Sequence, residues 1–317
     1  MTQAIINSSP LEPNPPPLSF QTISMSPITV LVDPQVQQSN PSSTVSHLVL
    51  RVVDGTSLSL QIIKPFLPFT KSQVFLIRPE PAGRSLPSEL ILKVFDPRYL
   101  DDRIPPLNSG LPSRLWTLEA ETTAADYRQE IAEGKRSDDF TVGLLYGDEE
   151  AEPYLWEEHF YRLLKESWES EVDALSRLTS LQGTVIPKFY GSGNVVPPEN
   201  TRGIEPFAVL MEYIHGTPLV DIEVGKVNLP PAIFLPLLDA VKRFGDLGVF
   251  HSDINDRNVL VSPSEAPMRA VLIDFGCAGV RRDGDSEEKW IWNVRFFHDE
   301  KSLRRVLDKK GIIGLNR

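Results

Sequence analysis

One short segment gathers most of the chain's chemically capable side chains: residues 251–258 read HSDINDRN. Apolar residues follow it directly, and a second apolar run, 270–273, ends in an Asp-Phe-Gly triplet that begins at Asp274. Two strand-like runs joined by a short polar turn predict a hairpin, which would hold Asp253, Asn258 and Asp274 together at one end. Two carboxylates and an amide in that place could bind Mg²⁺ through oxygen ligands and position a hydroxyl nucleophile.

The spacing of these residues is more specific than any one of them. His-x-Asp, then Asn five residues after the Asp, then Asp-Phe-Gly resembles the catalytic and metal-binding loops of the protein-kinase-like phosphotransferases. The resemblance implies ATP and Mg²⁺ as cofactors, with Asp253 orienting the acceptor hydroxyl or accepting its proton. It assigns the metal to Asn258 and Asp274. His251 is interpreted as a structural residue that fixes the loop rather than as a proton carrier.

The composition is that of an ordinary globular protein, with 41% hydrophobic and 24% charged residues in 317. A formal net charge of −11 argues against binding to nucleic acid or to an anionic membrane. The single cysteine, Cys277, excludes an internal disulfide and fits a reducing compartment. No apolar run approaches the length of a transmembrane helix, and the first residues lack a secretory pattern. We therefore expect an intracellular, cytoplasmic protein.

The N-terminal part of the chain divides into a tail and a sheet. Residues 1–46 are rich in Pro, Ser, Asn and Gln, which predicts a disordered tail, although a polyproline motif for a protein partner is the alternative. Period-two alternation and an Asp54-Gly55 turn then predict strands at about 47–53, 57–63, 73–78 and 89–95. These strands would build an antiparallel sheet.

Lys93 stands inside the last of these strands. Alternation places it on one face with Ile91 and Phe95, opposite Leu90 and its neighbours on the other face. A lysine is costly to bury unless an anion meets it. By the kinase resemblance it holds the nucleotide phosphates; the alternative is a lysine on the solvent face.

Two helices are expected after the sheet. Residues 97–152 are interpreted as an insertion that contains a helix at about 115–134, and a longer helix follows at about 152–181. Glu171 resembles the helix glutamate that orients the kinase lysine, and Glu169 is its rival.

The segment that resembles the kinase hinge follows a buried strand that begins at Phe207. A strand at 185–191 and a loop at 191–206 are expected before it. By the resemblance, Met211, Glu212, Tyr213 and Ile214 would contribute to nucleotide binding, chiefly through backbone groups. Later segments predict a helix at 230–247, a charged loop at 281–288 and a short helix at 299–310.

Several kinase features are altered or missing. No glycine occurs in the segment 67–73, where the glycine-rich loop would lie. Ser252 replaces the arginine of His-Arg-Asp, and Asn255 stands in place of the catalytic-loop lysine. Ala-Pro-Glu is absent after Asp-Phe-Gly. A long N-terminal and a short C-terminal part, with the pattern of residues 181–191, resemble fungal kinase-like proteins.

The sequence thus predicts an α+β, two-lobed protein-kinase-like fold. Residues 47–214 would form an N-lobe with an antiparallel sheet and the insertion, and 215–317 a short, mainly helical C-lobe. The expected function is ATP- and Mg²⁺-dependent transfer of a phosphoryl group to a hydroxyl of a protein Ser or Thr or of a small molecule. A pseudokinase that binds a nucleotide or a partner without turnover is the alternative, and an interaction scaffold is a third.

Overall fold

A computed structural model describes residues 47–80, 86–105, 109–146 and 151–312. They form a mixed α and β structure with a large antiparallel sheet, as the sequence predicts. The expectations for the tail at 1–46, its protein partner included, lie outside these residues. No helix in the described ranges is both long and apolar enough to span a bilayer.

Six antiparallel strands form the main sheet. They are β1 (His47–Val52), β2 (Ser57–Phe66), β3 (Gln73–Glu80), β4 (Leu90–Phe95), β5 (Phe189–Val196) and β6 (Phe207–Glu212). The sheet closes as a barrel in the order β1-β2-β3-β4-β6-β5, which the sequence did not predict. The first four strands lie close to their predicted positions, and Gly55, with φ +86°, makes the expected turn between β1 and β2.

The position of β5 differs from the prediction. It begins four residues after the start of the predicted strand and continues to Val196, inside the predicted loop. The glycines that suggested a loop have another role here, because a Cβ on Gly193 would lie 2.0 Å from the carbonyl oxygen of Arg51 on β1. Glycine therefore permits close approach of two paired strands.

The two faces of β4 enter two different hydrophobic clusters. Leu90, Leu92 and Val94 pack inside the barrel, whereas Phe95 and Ile91 pack against the larger cluster outside it. The predicted alternation is confirmed, and Lys93 shares the outer face.

One helix lies against the outside of the barrel, and a second helix packs on the first. They are α1 (Leu118–Ala132), within the insertion, and α2 (Pro153–Arg177), on which α1 packs. Thr117 caps α1 by accepting a hydrogen bond from the Ala120 amide at 3.2 Å. Both helices occur where the sequence predicts them, within a few residues at their ends.

The remaining elements surround the predicted hairpin. β9 (Val259–Ser262) pairs with β10 (Arg269–Leu272), as expected, and β7 (Thr217–Pro218) adds to β9. A second small pair joins β8 (Val249–Phe250) to β11 (Gly279–Val280).

Three helices complete the structure. They are α3 (Leu235–Arg243), α4 (Glu287–Phe297) and α5 (Asp299–Lys309). The helix predicted at 230–247 is a 3-10 turn followed by α3, which ends earlier, and α5 matches its prediction. The prediction of a charged loop at 281–288 is wrong at its end, because α4 begins at Glu287 and Ser286 caps it by accepting from the Lys289 amide.

Candidate active site

Lys93 lies where β4, α2 and the Asp-Phe-Gly segment meet. Its ammonium contacts the carboxylate of Glu171 on α2 and donates to Asp274 Oδ1 at 2.7 Å. Lys93 is 6% exposed, so the alternative of a lysine on the solvent face is excluded. The side chain of Asp274, by contrast, is 48% exposed and opens towards solvent.

The same contacts distinguish Glu171 from Glu169, the alternative partner of Lys93. Glu171 is 1% exposed and reaches Lys93. Glu169 lies two residues earlier, about 200° away around the helix, where its half-exposed side chain faces Lys165 at 3.5 Å. Only Glu171 is placed to orient the lysine.

Mutual charge sets the ionisation of this cluster. Burial opposes the charge on Lys93, but Asp274 and Glu171 outweigh it and raise its pKa above the ordinary range. The Lys93 ammonium lowers the pKa of Asp274. Burial raises the pKa of Glu171, and Lys93 opposes that shift. At neutral pH Lys93 is therefore a fixed cation.

His251 is completely buried and links the loop that contains Asp253 to Ile273, the residue that follows β10. Its Nε2 is 3.0 Å from the Ile273 carbonyl oxygen, and its Nδ1 accepts from the Asp253 amide at 3.3 Å. Burial lowers the pKa of His251, which favours the neutral ring. These contacts agree with the structural role that the sequence suggests for it.

Asp253 and Asn258 face each other across the loop. The Asn258 amide nitrogen donates to the Asp253 carbonyl at 2.9 Å and to its Oδ2 at 3.1 Å. Asn255 donates to Asp253 Oδ1 at 3.0 Å. Asp253 is exposed, and the backbone of Ile273, next to Asp274, donates to the Asn258 carbonyl at 2.9 Å. The hairpin thus brings Asp253, Asn258 and Asp274 to one end, as predicted.

The oxygen donors at this end suit a hard cation. Both hydrogens of the Asn258 amide face Asp253, so its Oδ1 is left as an acceptor, and Asp274 offers a half-exposed carboxylate. No group of three or more His, Cys, Asp or Glu side chains within the described ranges could hold a metal by itself. Mg²⁺ commonly uses one or two protein oxygens together with phosphate oxygens, and the donor set fits that ion.

Gly276 lies tightly against α2. The hydroxyl of Ser167 donates to the Gly276 carbonyl at 2.8 Å. A Cβ on Gly276 would lie 2.6 Å from Ser167 Oγ and 3.6 Å from Lys93 Nζ. The absence of a side chain therefore allows this segment to approach the lysine.

The predicted hinge lies at the end of β6, the strand that pairs with β4. Met211 and Ile214 are buried, while Glu212 and Tyr213 are partly exposed. Glu212 is fully engaged, since it accepts from the Lys188 amide at 3.0 Å and from Arg269 at 3.2 Å. In the described part of the chain no backbone hydrogen bond engages the peptide groups of Tyr213 or Ile214.

The turn between β2 and β3 replaces a glycine-rich loop with packed side chains. Phe69 in this turn is buried, with its ring 5.5 Å from that of Phe75 and 5.8 Å from that of Tyr99. The Thr70 carbonyl accepts from the Asp101 amide at 3.2 Å. The turn is therefore fixed by packing of Phe69 and by the hydrogen bond of Thr70, and it does not form an open, glycine-rich loop.

Two residues of the site were missed by sequence reasoning. Asp299, at the start of α5, accepts from the amides of His251 and Ser252, and Ser167 holds Gly276. The isolated sequence carries no local signal for either contact, because the partners are far apart along the chain.

Comparison with known proteins gives two sequence matches and no match to a family model. The chain is 28% identical over 165 residues to the serine/threonine-protein kinase rio2 of Schizosaccharomyces pombe, covering 46% of this chain and 43% of that protein. It is 34% identical over 74 residues to the serine/threonine-protein kinase pkn2 of Myxococcus xanthus, covering 22% and 9%. The chain thus spans less than half of the length of either relative.

Solved structures give a weaker likeness. The kinase domain of Mycobacterium tuberculosis PknI is 17% identical, with a TM-score of 0.33 over 68% of this chain and 59% of that chain. At this score the likeness carries no argument, and the finer resemblance to fungal kinase-like proteins stays a prediction. Both curated matches are to serine/threonine-protein kinases, and they support a protein-kinase-like family for this chain.

Proposed function

We propose that this chain is an ATP- and Mg²⁺-dependent phosphotransferase with a two-lobed kinase-like arrangement. The observation that carries the proposal is the buried Lys93 ammonium, paired at once with Glu171 and with the half-exposed Asp274. A lysine held in this way is a fixed cation beside a carboxylate that can take a metal, and phosphoryl transfer depends on such electrostatic positioning.

Each side chain then has a distinct task. Lys93 binds phosphate oxygens through Nζ, while the peptide groups of Tyr213 and Ile214 bind the adenine edge. Asn258 Oδ1 and the Asp274 carboxylate would hold Mg²⁺, which would offset the phosphate charge. The acceptor oxygen bonds to the γ-phosphorus as the bond to the leaving β-phosphate oxygen breaks, and Asp253 takes the hydroxyl proton.

The proposed domain division follows the elements. Residues 47–214, with the insertion at 97–152, form the N-lobe, and 215–317 form a short C-lobe. The acceptor is a protein Ser or Thr or a small molecule, and the Pro-rich residues 1–46 are proposed to meet a protein partner. Neither nucleic acid nor membrane is proposed as a partner, and an intracellular, cytoplasmic location stays a prediction.

One observation favours a second candidate, a pseudokinase that binds nucleotide without turnover. The turn at 67–72 has no glycine, and its buried Phe69 replaces the close backbone cradle that phosphates receive from a glycine-rich loop. Loss of that cradle would leave Lys93 and the metal ligands to position the phosphates alone.

The experiment that separates the two candidates is thermal shift with ATP and Mg²⁺ together with ATP turnover, on the wild type and Asp274→Ala. The enzyme proposal expects a metal-dependent shift and turnover in the wild type and the loss of both in the variant. A metal-dependent shift without turnover supports the pseudokinase. Turnover that survives Asp274→Ala overturns the metal assignment.

A further inference from the structure

Buried ion pairs connect the insertion to the strand that carries Lys93. Asp96 follows β4 directly, is 3% exposed, and accepts two hydrogen bonds from Arg202, at 2.9 and 3.0 Å. Arg202 also donates to Glu121 on α1, at 2.7 Å. Arg98, at the start of the insertion, donates to Asp96 as well. The end of β4 and helix α1 are thus joined through one guanidinium.

The insertion also grips the helix that carries Glu171. Arg103 binds Glu157 of α2 with both guanidinium nitrogens, at 2.8 and 2.5 Å, and both side chains are about 4% exposed. Arg128 of α1 donates to Glu158 at 2.5 Å, and the Glu158 side chain is 0% exposed. Two adjacent buried carboxylates of α2 therefore each receive an arginine from the insertion.

The positions of these carboxylates fix the helix in more than one direction. Glu157 lies about 21 Å before Glu171 along the axis and about 40° from it around the axis, whereas Glu158 lies about 140° away. Arginines that hold both faces oppose rotation as well as sliding of α2. Either movement would carry Glu171 away from Lys93.

Burial of these charges is costly, and apolar residues of similar volume often stabilise a fold as well or better. A bidentate guanidinium–carboxylate pair adds defined geometry that an apolar contact lacks. The pairs at Glu157 and Glu158 therefore fit a role in fixing the position of α2, beyond holding the insertion in place.

We propose that the insertion is a built-in clamp that sets the Lys93–Glu171 pair, with Glu157 and Glu158 as positioning residues. The insertion holds α2 through Arg103 and Arg128, and its helix α1 is joined to Asp96 at the end of β4 through Arg202 of the β5–β6 connection, so both partners of the pair are tied to the insertion. Its effect on catalysis rests on the proposed phosphotransferase function; its effect on Lys93 does not.

The test measures the reactivity of Lys93 in the protein without nucleotide. Acetylation by an N-hydroxysuccinimide acetate, followed by mass spectrometry of the peptide that contains Lys93, reports how well Glu171 and Asp274 together hold the amine. Asp274 is the same in every variant compared, so a difference between variants reports on Glu171. Glu157→Gln is expected to speed acetylation of Lys93 about tenfold, a typical size for coupling between sites. The milder Arg103→Lys keeps the positive charge but loses the bidentate geometry, and it is expected to give a smaller increase in the acetylation rate.

Two controls separate positioning from stability. Glu169→Gln alters a half-exposed glutamate of the same helix and is expected to leave the acetylation of Lys93 unchanged. Leu307→Ala empties a buried site on α5, away from the clamp, and shows how far lowered stability alone exposes Lys93. If Glu157→Gln does not fold, Arg103→Lys carries the test against the same controls.

The acetylation rates of Lys93 in the variants decide whether the insertion positions the Lys93–Glu171 pair. Faster acetylation of Lys93 in the clamp variants than in Leu307→Ala at equal loss of stability supports the proposal. Unchanged acetylation, or an increase no greater than in Leu307→Ala, overturns it. Failure of the wild type to bind ATP and Mg²⁺ would refute the proposed function while leaving this readout intact. If the wild type does bind ATP and Mg²⁺, Glu157→Gln should weaken that binding. When Glu157→Gln is combined with Glu171→Gln, the double variant should bind no more weakly than Glu171→Gln alone.

Discussion

Asp299 holds the segment that contains Asp253 although the two lie in distant parts of the chain. Its Oδ2 accepts from the His251 amide at 2.6 Å and its Oδ1 from the Ser252 amide at 3.0 Å. Asp299 is 8% exposed at the first turn of α5, and Ser252 has a φ of +63°. The last helix thus secures a strained loop conformation that a serine rarely adopts.

Replacing this carboxylate should loosen the loop. Asp299→Asn retains the shape but puts an amide NH₂ opposite a backbone donor, so one buried donor is left unsatisfied. We expect a loss of about 1–3 kcal/mol in the free energy of unfolding. Urea unfolding measures it, with the exposed Asp308→Asn as control. Equal midpoints for Asp299→Asn and the wild type would contradict a holding role.

Acid should weaken the buried cluster at the end of β4. Burial opposes ionisation of Asp96, but Arg202 and Arg98 outweigh it and lower its pKa to about 2. Because this folded pKa lies below the unfolded value of about 3.9, the stabilisation is present above pH 4 and is lost as the pH falls towards 2, an effect of about 2–3 kcal/mol.

Asp96→Asn checks this pH dependence. The variant is expected to be less stable than the wild type at pH 7, since Arg98 and Arg202 lose a buried anion. The difference in unfolding free energy should narrow between pH 4 and pH 2.5 in urea titrations. A difference that stays constant over this range would mean that Asp96 is not the titrating group.

Gly276 should tolerate no side chain while Ser167 faces it. The added methyl of Gly276→Ala would lie 2.6 Å from Ser167 Oγ, so we expect a loss of about 1–3 kcal/mol. Removing the hydroxyl as well, in Gly276→Ala with Ser167→Ala, should recover part of the loss. A double variant no more stable than Gly276→Ala alone, by urea unfolding, would place the clash elsewhere.

A second carboxylate beside Asp253 should couple the two groups. Asn258→Asp replaces an amide that donates to Asp253 Oδ2 at 3.1 Å with a like charge. One apparent pKa of the pair is expected to rise well above the ordinary range for Asp. Carboxyl NMR titration of the variant against the wild type measures it, and two unshifted titrations would show that the side chains have moved apart.

Much of this site could be predicted because its signals are local. Alternation along β4 assigned Lys93 to one face, and the spacing of Asp253, Asn258 and Asp274 across two apolar runs predicted the hairpin. The motif alone does not distinguish Glu171 from Glu169 as the partner of Lys93. The apolar stripe of α2 favours Glu171, because Leu175 lies one turn after it and Leu164 two turns before it.

What could not be predicted depends on contacts between distant residues. Ser167 meets Gly276 across 109 positions, and Asp299 meets His251 across 48. A buried Asp and a helical Ser look like ordinary surface residues in the sequence. The barrel likewise closes through pairing of β1 with β5, which no local pattern specifies.

Closure of the barrel has a consequence for how other chains could bind it. Each of its six described strands pairs with two neighbours over at least part of its length, so none of them is an edge strand along its whole length to which an extended peptide could add. A polypeptide that docks on the barrel is therefore expected to be recognised chiefly by side chains and shape. Removing β1 would bare the edges of β2 and β5 together and turn the barrel into an open, aggregation-prone sheet.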